Sequence, residues 1–296
     1  MILIKKDILL TNYLSYKQNR YFCVMSILKK LLDFYVNASI HVALAVYSFM
    51  RITELYVGLE YNEALDYFVF YGTITGYNFV KYFGIAKFHH RSLTQNLKII
   101  QVFSFVCFVL FCYYGFQLSL ETFILYASFG VLTVLYAIPF LSGFQKSLRS
   151  ISYLKIIVVA LVWAGVTVII PIYDAGNEVF TTAVVLQSAQ RFLLVCVLIL
   201  PFDIRDLQFD EISLQTIPQK IGVSQTKKLG YVLLLFTLVL EFMVSPNPEF
   251  RTLFLAMFFV MLFSVMRAKS KQSAYYCSVW VESIPIIWWL AFVLFL

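Results

Sequence analysis

Apolar residues occur along this chain in long blocks, rather than in the alternating or one-sided patterns of soluble strands and helices. A helix needs roughly 20 apolar residues to cross the hydrocarbon core of a bilayer. Windowed hydropathy predicts about nine such spans, near residues 32–56, 63–84, 99–116, 120–141, 154–172, 179–202, 229–245, 250–266 and 275–296. The pattern therefore predicts an all-α, multi-pass membrane bundle of about nine transmembrane helices.

The composition excludes a soluble protein. Of the 296 residues, 61% are hydrophobic and 13% are charged, whereas soluble domains are about 25% charged. The mean hydropathy is +0.82. The five cysteines are scattered and form no C-x-x-C pair, which argues against both a disulfide framework and a zinc site.

Basic residues predict the orientation in the membrane. Of the 23 Lys and Arg residues, all but three lie in the N-terminal segment or in every second loop, and the exceptions are Arg51, Arg191 and Arg251. By the positive-inside rule we expect this basic side, with the N-terminus, to be cytoplasmic and the C-terminus to lie outside the cell membrane. Residues 1–30 read as a basic interfacial segment rather than a cleaved signal peptide. The net charge of +7 then follows from topology and requires no nucleic-acid partner.

A stripe of carboxylates is predicted where the sixth span ends. If the helix continues past Pro201, then Asp203, Asp206 and Asp210 are spaced i, i+3 and i+7 and lie on one face. Oxygen ligands of this kind suit Mg²⁺, which binds through one or two carboxylates and substrate phosphates. The alternative is a solvated helix end whose acids pair with Arg205 and nearby lysines.

The segment that follows carries a family resemblance. The stretch "PFDIRDLQFDEISLQTIPQKIG" resembles the second aspartate motif of the UbiA superfamily of intramembrane prenyltransferases, which reads D-x-x-D-x-x-x-D and continues with a Thr-hydrophobic-Pro element and a glycine. The later elements are Thr216, Pro218 and Gly222. "LYAIPF", which contains Tyr136, and the basic loop "FQKSLRSISYLK" are similar to the family's fourth span and following loop. The resemblance makes residues 31–296 one UbiA-like domain around a central cavity.

The resemblance implies a function and a set of site residues. It implies an enzyme that moves a polyprenyl group from an isoprenyl diphosphate to a lipophilic acceptor, aromatic or a quinone precursor, in an Mg²⁺-dependent reaction. Asp203, Asp206 and Asp210 would be the catalytic, metal-binding carboxylates. The residues expected to contact the diphosphate are Asn78, Lys81, Tyr136, Lys146, Arg149 and Arg205.

The first motif of the family, N-D-x-x-D-x-x-x-D, is absent. If Asn78 is its asparagine, the aspartate positions are Phe79, Tyr82 and Ala86, and no acid lies between Asp66 and Glu121. We therefore expect one Mg²⁺ site rather than two. Lys81 shares a helix face with Asn78 and Tyr82 and has three possible roles: contact with diphosphate, an ion pair with Asp206 or Asp210, or snorkelling to the interface.

The missing acids keep a second function open. A non-catalytic UbiA-like protein could retain the fold and bind an isoprenoid lipid or a protein partner. Polar residues within the first span, Asn37, Ser39 and His41, could line a cavity or form hydrogen bonds between helices. The sequence assigns no partner to Glu282 in the last span, and it places Arg191 towards the outer half of the sixth span, where it could close the cavity.

Overall fold

The computed structural model describes residues 27–88, 95–137, 154–208 and 216–295, and all regular structure in these ranges is helical. Residues 27–37 form α1. The following helices are α2 (Ile40–Val57), α3 (Glu63–Phe88), α4 (Gln95–Gly115), α5 (Leu120–Ala137), α6 (Leu154–Ala164), α7 (Ile170–Asp174), α8 (Thr182–Asp206), α9 (Ile217–Val244), α10 (Pro248–Arg267) and α11 (Ile284–Phe295). Two π-helical segments, Gly165–Ile169 and Tyr276–Val281, join α6 to α7 and lead into α11.

Six helical segments in the described ranges are long and apolar enough to cross a membrane. They are Ile40–Val57, Leu97–Gly115, Leu154–Asp174, Thr182–Asp206, Pro248–Arg267 and Tyr276–Phe295. The chain is therefore an integral membrane protein and an all-α bundle, as predicted. The count of nine spans stays a prediction, because the other helices are shorter or more polar.

Helix α8 is central to the bundle and packs against α6, α9 and α10. Helix α2 packs against α3 and α11, and its Phe49 meets Trp288 of α11 edge to face, with ring centroids 6.2 Å apart. Phe254 of α10 packs on the same tryptophan at 5.5 Å. Trp288, Phe49 and Phe254 are fully buried, so large aromatic side chains fill the space between these helices.

The predicted first span is interrupted. Residues 38 and 39 separate α1 from α2, and Ser39 has left-handed backbone angles of φ 62° and ψ 20°. Among the described residues it is the one non-glycine residue with positive φ. Neither Pro nor Gly marks this break in the sequence, so the hydropathy pattern alone predicted a continuous helix.

Helix α8 does continue past Pro201 and ends at Asp206, so Asp203 and Asp206 lie on it, whereas Asp210 lies outside the described residues. Thr216 precedes α9 and its backbone N–H donates to Gln219 Oε1 at 2.9 Å. Gly222 kinks α9 with φ 78° and ψ 161°, a conformation open only to glycine. The Thr, Pro and Gly of the second motif therefore start and bend α9.

Gly72 permits close packing of α3 against its neighbours. A Cβ atom at this position would lie 2.4 Å from Tyr126 Oη and 2.9 Å from the Phe111 ring, whereas a Cβ at Gly76 would meet nothing within 4 Å. We expect Gly72→Ala to lower the free energy of unfolding by about 1–3 kcal/mol through overpacking. Gly76→Ala is the matched control and should be neutral or stabilising by up to about 1 kcal/mol. Denaturant titration in detergent measures both, and equal effects would contradict the packing role.

Candidate functional site

Two of the three predicted carboxylates, Asp203 and Asp206, lie at the end of α8, and each forms an ion pair. Asp203 is buried, and its Oδ1 accepts a hydrogen bond from Lys155 Nζ at 2.7 Å. Lys155 is at the start of α6, which packs along α8. The pair neutralises an acid that would otherwise be costly to bury. Asp203 thus supports the helix packing.

Asp206 is more accessible than Asp203. Its Oδ1 accepts from Arg205 Nε at 2.7 Å, and the side chains of Asp206 and Arg205 are 27% and 22% exposed. The Arg205 guanidinium lies 5.2 Å from the centre of the Phe202 ring. The bond from Arg205 uses one oxygen of Asp206. The second oxygen is left available to a ligand, since a carboxylate has two acceptor oxygens.

One face of α3 carries Asn78, Lys81 and Tyr82, at the place of the family's first motif. This first-motif face binds the break between α1 and α2. Lys81 Nζ donates to Val36 O at 3.4 Å, Tyr82 Oη donates to Asn37 O at 2.9 Å, and Asn78 Nδ2 donates to Ala38 O at 3.0 Å. Three residues that share one helix face therefore each bind one of three consecutive carbonyl groups. A helix end has carbonyl groups without partners in the helix. These side chains supply donors to them, and Val36 O also accepts from the Ser39 N–H at 3.1 Å.

Ser39 joins this network through its hydroxyl group. Its Oγ donates to Asn78 Oδ1 at 2.7 Å and accepts from Lys81 Nζ at 2.9 Å. Asn78 also donates to Ser104 Oγ of α4 at 2.7 Å. These bonds stabilise the left-handed backbone of Ser39, which a serine adopts only at an energetic cost. Of the two possible roles for Ser39, the structure supports hydrogen bonding between helices.

The π-helical segment before α11 brings α2, α8 and the last helix together. Cys277 Sγ donates to Pro201 O at 3.4 Å. His41 Nε2 lies 3.0 Å from Val279 O and 3.1 Å from Ser283 Oγ. Glu282 follows this segment. The positive charges that act on it are those of Lys81 on α3 and Arg205 on α8, and neither forms an ion pair with it in the described part of the chain.

The remaining predicted site residues lie outside the described part. Asp210, Lys146 and Arg149 are in segments that the structure does not describe, and Tyr136 is described only by its helical backbone in α5. Most of the predicted segment 1–30 is likewise outside. Their proposed roles stay predictions.

A pocket of about 320 Å³ opens at the opposite end of the bundle. It lies at the start of α8 and is lined by Tyr56, Val57, Ile172, Asn177, Glu178, Thr181, Ala183, Val184, Gln187 and Val244. Helix α8 has 25 residues, which separates this pocket from Asp206 by about 30 Å at 1.5 Å per residue. The pocket is therefore not part of the carboxylate site.

Comparison with solved structures identifies the fold. A UbiA homologue from Archaeoglobus fulgidus bound to GPP and Mg²⁺ superposes with a TM-score of 0.54 at 14% identity, over 88% of this chain and 95% of that one. Its complex with DMAPP and Mg²⁺ gives 0.51 at 14% identity, over 90% and 98%. A structure of digeranylgeranylglyceryl phosphate synthase gives 0.53 at 14% identity, over 90% and 98%. The chain has the UbiA-superfamily fold. No protein-family model matches the sequence, and no curated protein matches it significantly.

Within this UbiA fold, the described residues offer a metal ion one carboxylate ligand, on one side only. No group of three or more His, Cys, Asp or Glu side chains that could hold a metal occurs among them. The α8 side offers Asp206, an exposed oxygen ligand of the kind that Mg²⁺ prefers. The α3 side offers the Lys81 ammonium group, which repels a cation. The first-motif side of this UbiA fold does not fit a metal.

Sequence reasoning did not find the contacts of three residues of this region. Lys155 was counted only as a basic loop residue, Glu282 had no partner, and Ser39 was placed inside a continuous helix. The sequence did indicate that Glu282 interacts with another polar group, because an acid in an apolar span needs a partner nearby. The partners of Ser39 and Lys155 lie on other helices of the UbiA fold, so spacing along the sequence could not reveal them.

Proposed function

We propose that the chain is an intramembrane transferase that moves a polyprenyl group from an isoprenyl diphosphate to a lipophilic acceptor, aromatic or a quinone precursor. One observation carries the proposal: in a UbiA fold, the chain keeps a partly exposed Asp206 at the end of α8. The homologues bound to GPP or DMAPP with Mg²⁺ support this class of donor. We place the site on the cytoplasmic side, with the C-terminus outside.

Each residue has a proposed role that follows from its position. Asp206, with Asp210, would hold one Mg²⁺, and the bound ion would stabilise negative charge on the leaving diphosphate. Arg205, Lys146 and Arg149 would bind phosphate oxygens through charge-assisted hydrogen bonds. Asp203 would orient the end of α8 through its bond to Lys155. The apolar surroundings would keep water from the allylic cation that forms when diphosphate leaves.

A specific observation supports the second candidate, a non-catalytic protein that binds an isoprenoid lipid or a partner. The first-motif face binds backbone carbonyl groups rather than presenting acids. A chain of this kind could retain diphosphate binding without transfer. Binding and product formation therefore have to be measured separately.

The binding test compares two acid-to-amide changes. Wild-type protein in detergent should bind farnesyl or geranylgeranyl diphosphate more tightly with Mg²⁺ than with EDTA. Asp206→Asn should remove this Mg²⁺-dependent gain, a loss of roughly tenfold or more, because the amide is a poor ligand for the ion. Glu249→Gln is the control, since Glu249 is exposed at the other end of the bundle. Equal behaviour of the two variants would exclude the metal role.

The transfer test decides between the candidates. Labelled farnesyl or geranylgeranyl diphosphate is incubated with Mg²⁺ and a panel of aromatic and quinone-precursor acceptors. A prenylated product supports the transferase. Mg²⁺-dependent binding without any product across the panel supports the binding protein instead.

A further inference from the structure

The pocket at the end of the bundle away from Asp206 has no part in the proposed transfer. Its volume of about 320 Å³ is within the range of pockets that hold small ligands. The 25 residues of α8 make a helix about 37 Å long, whereas the hydrocarbon core of a bilayer is about 30 Å thick. A spanning helix of this length ends among the lipid headgroups, so the pocket at its start lies at their level.

Two buried glutamines on α8 differ in their hydrogen bonds. Gln190 is 4% exposed, and its Nε2 donates to Thr237 O at 3.2 Å and to Glu241 Oε2 at 2.7 Å. Gln187, about one turn earlier, is 5% exposed and lines the pocket, and its amide has no hydrogen-bond partner among the described residues. Burying an amide without a partner costs free energy. A hydrogen-bonding group that enters the pocket therefore gains a ready partner in Gln187.

The polar part of the pocket wall carries a negative charge and no positive one. It consists of Asn177, Glu178, Thr181 and Gln187, and no Lys, Arg or His occurs among the described residues of the wall. The Glu178 carboxylate is exposed and forms no ion pair with the described residues. Such a wall repels an anion. A protonated primary amine fits it, because its three N–H donors match the carboxylate, amide and hydroxyl oxygens.

Apolar residues next to the pocket are exposed. Phe180, in the loop before α8, is 94% exposed, and Val57 and Phe242, near the ends of α2 and α9, are 40% and 65% exposed. Exposed apolar surface of this kind marks contact with a membrane in a chain that spans one. A lipid molecule can therefore reach the pocket without leaving the bilayer.

We propose that this pocket binds a membrane lipid whose headgroup ends in a protonated primary amine. The ammonium group donates to Gln187 Oε1 deep in the pocket, and the exposed Glu178 carboxylate compensates its charge. A quaternary ammonium group has no N–H to donate, so the pocket selects the primary amine. The inference does not depend on prenyl transfer, because the pocket lies about 30 Å from Asp206 along α8.

Native mass spectrometry of the full chain, in detergent with EDTA, measures which lipid the protein retains. The probes are phosphatidylethanolamine, phosphatidylcholine and phosphatidylglycerol with the same acyl chains and at equal concentrations. Wild-type protein should prefer phosphatidylethanolamine about tenfold, the effect of a hydrogen bond from a charged donor. Equal retention of the three lipids would overturn the proposal. Displacement of phosphatidylethanolamine by an equal concentration of free ethanolamine would overturn the assignment to a lipid.

The variant Gln187→Leu separates binding from packing. It removes the amide and should reduce the lipid preference to about twofold or less. It should not lower the unfolding temperature, because the amide has no partner to lose in the described part of the chain. Gln190→Leu is the matched control for stability and should lower that temperature, because it removes a donor from the buried Glu241. A less stable Gln187→Leu protein with an unchanged lipid preference would overturn the binding role.

The variant Glu178→Gln tests the charge. It keeps an oxygen acceptor and should reduce the lipid preference about threefold. Glu249→Gln is the control, because Glu249 is an exposed acid at the same end of the bundle but not in the pocket wall. Equal effects of the two variants would overturn the role of Glu178. Mg²⁺-dependent diphosphate binding should be unchanged in every pocket variant, so failure of this inference and failure of the proposed function are distinguishable.

Discussion

Replacing Lys155 with methionine should lower the free energy of unfolding by about 3 kcal/mol, the lower end of the range for a broken buried ion pair. Asp203 is 2% exposed, and its Oδ1 accepts from the lysine at 2.7 Å. Without the ammonium group the carboxylate is left buried and unpaired. We choose the lower end because the Lys155 side chain is 32% exposed, so water already screens part of the interaction.

The double variant Lys155→Met/Asp203→Asn tests the cause. Removing both charges should recover most of the lost stability, because no uncompensated charge remains buried. Denaturant titration of the four proteins in detergent gives the coupling free energy. Additive effects in this cycle would show that the ion pair does not stabilise α8, and Asp203 would again be available as a metal ligand.

The helices were predictable because a bilayer allows few alternatives. A chain in lipid must satisfy its backbone groups within each segment, so apolar blocks separated by polar loops become helices. Glu63, Leu120 and Leu154 accordingly begin helices within one residue of the predicted limits. The break at Ser39 was not predictable in this way, because donors on α3 stabilise it from about 40 residues away in sequence.

The candidate site was predictable in part. The spacing of Asn78, Lys81 and Tyr82 correctly placed them on one face, and the continuation of α8 past Pro201 placed Asp203 and Asp206 at its end. What this face contacts was not predictable, because Val36 to Ala38 belong to the end of α1 and the break after it, about 40 residues away in sequence. Periodicity describes which side chains share a face, and tertiary packing decides what that face meets.

Replacing Arg191 with leucine should lower the free energy of unfolding by about 3 kcal/mol, although the position is far from the carboxylates. Arg191 is 3% exposed. Its guanidinium donates to Phe49 O at 2.7 Å, Thr167 Oγ1 at 3.1 Å and Thr53 Oγ1 at 3.2 Å. It also lies 4.2 Å from the centre of the Phe49 ring. Hydrogen bonds from a buried charged donor contribute about 1.5–3 kcal/mol each, and the relieved desolvation of the charge offsets part of that loss.

The variant Arg191→Lys tests whether the positive charge alone, or also the planar shape of the guanidinium group, stabilises the bundle. A lysine keeps the positive charge but lacks the planar array that binds three acceptors at once, so it should recover less than half of the stability lost in Arg191→Leu. Arg251→Leu is the control, because Arg251 is only partly buried, and it should cost less than about 1 kcal/mol. Diphosphate affinity in the folded Arg191→Leu protein should equal that of wild type, because Arg191 connects α2, the first π-helical segment and α8 in the half of the bundle away from Asp206. A lower affinity with intact folding would mean that this arginine also acts on the site at the other end of the bundle.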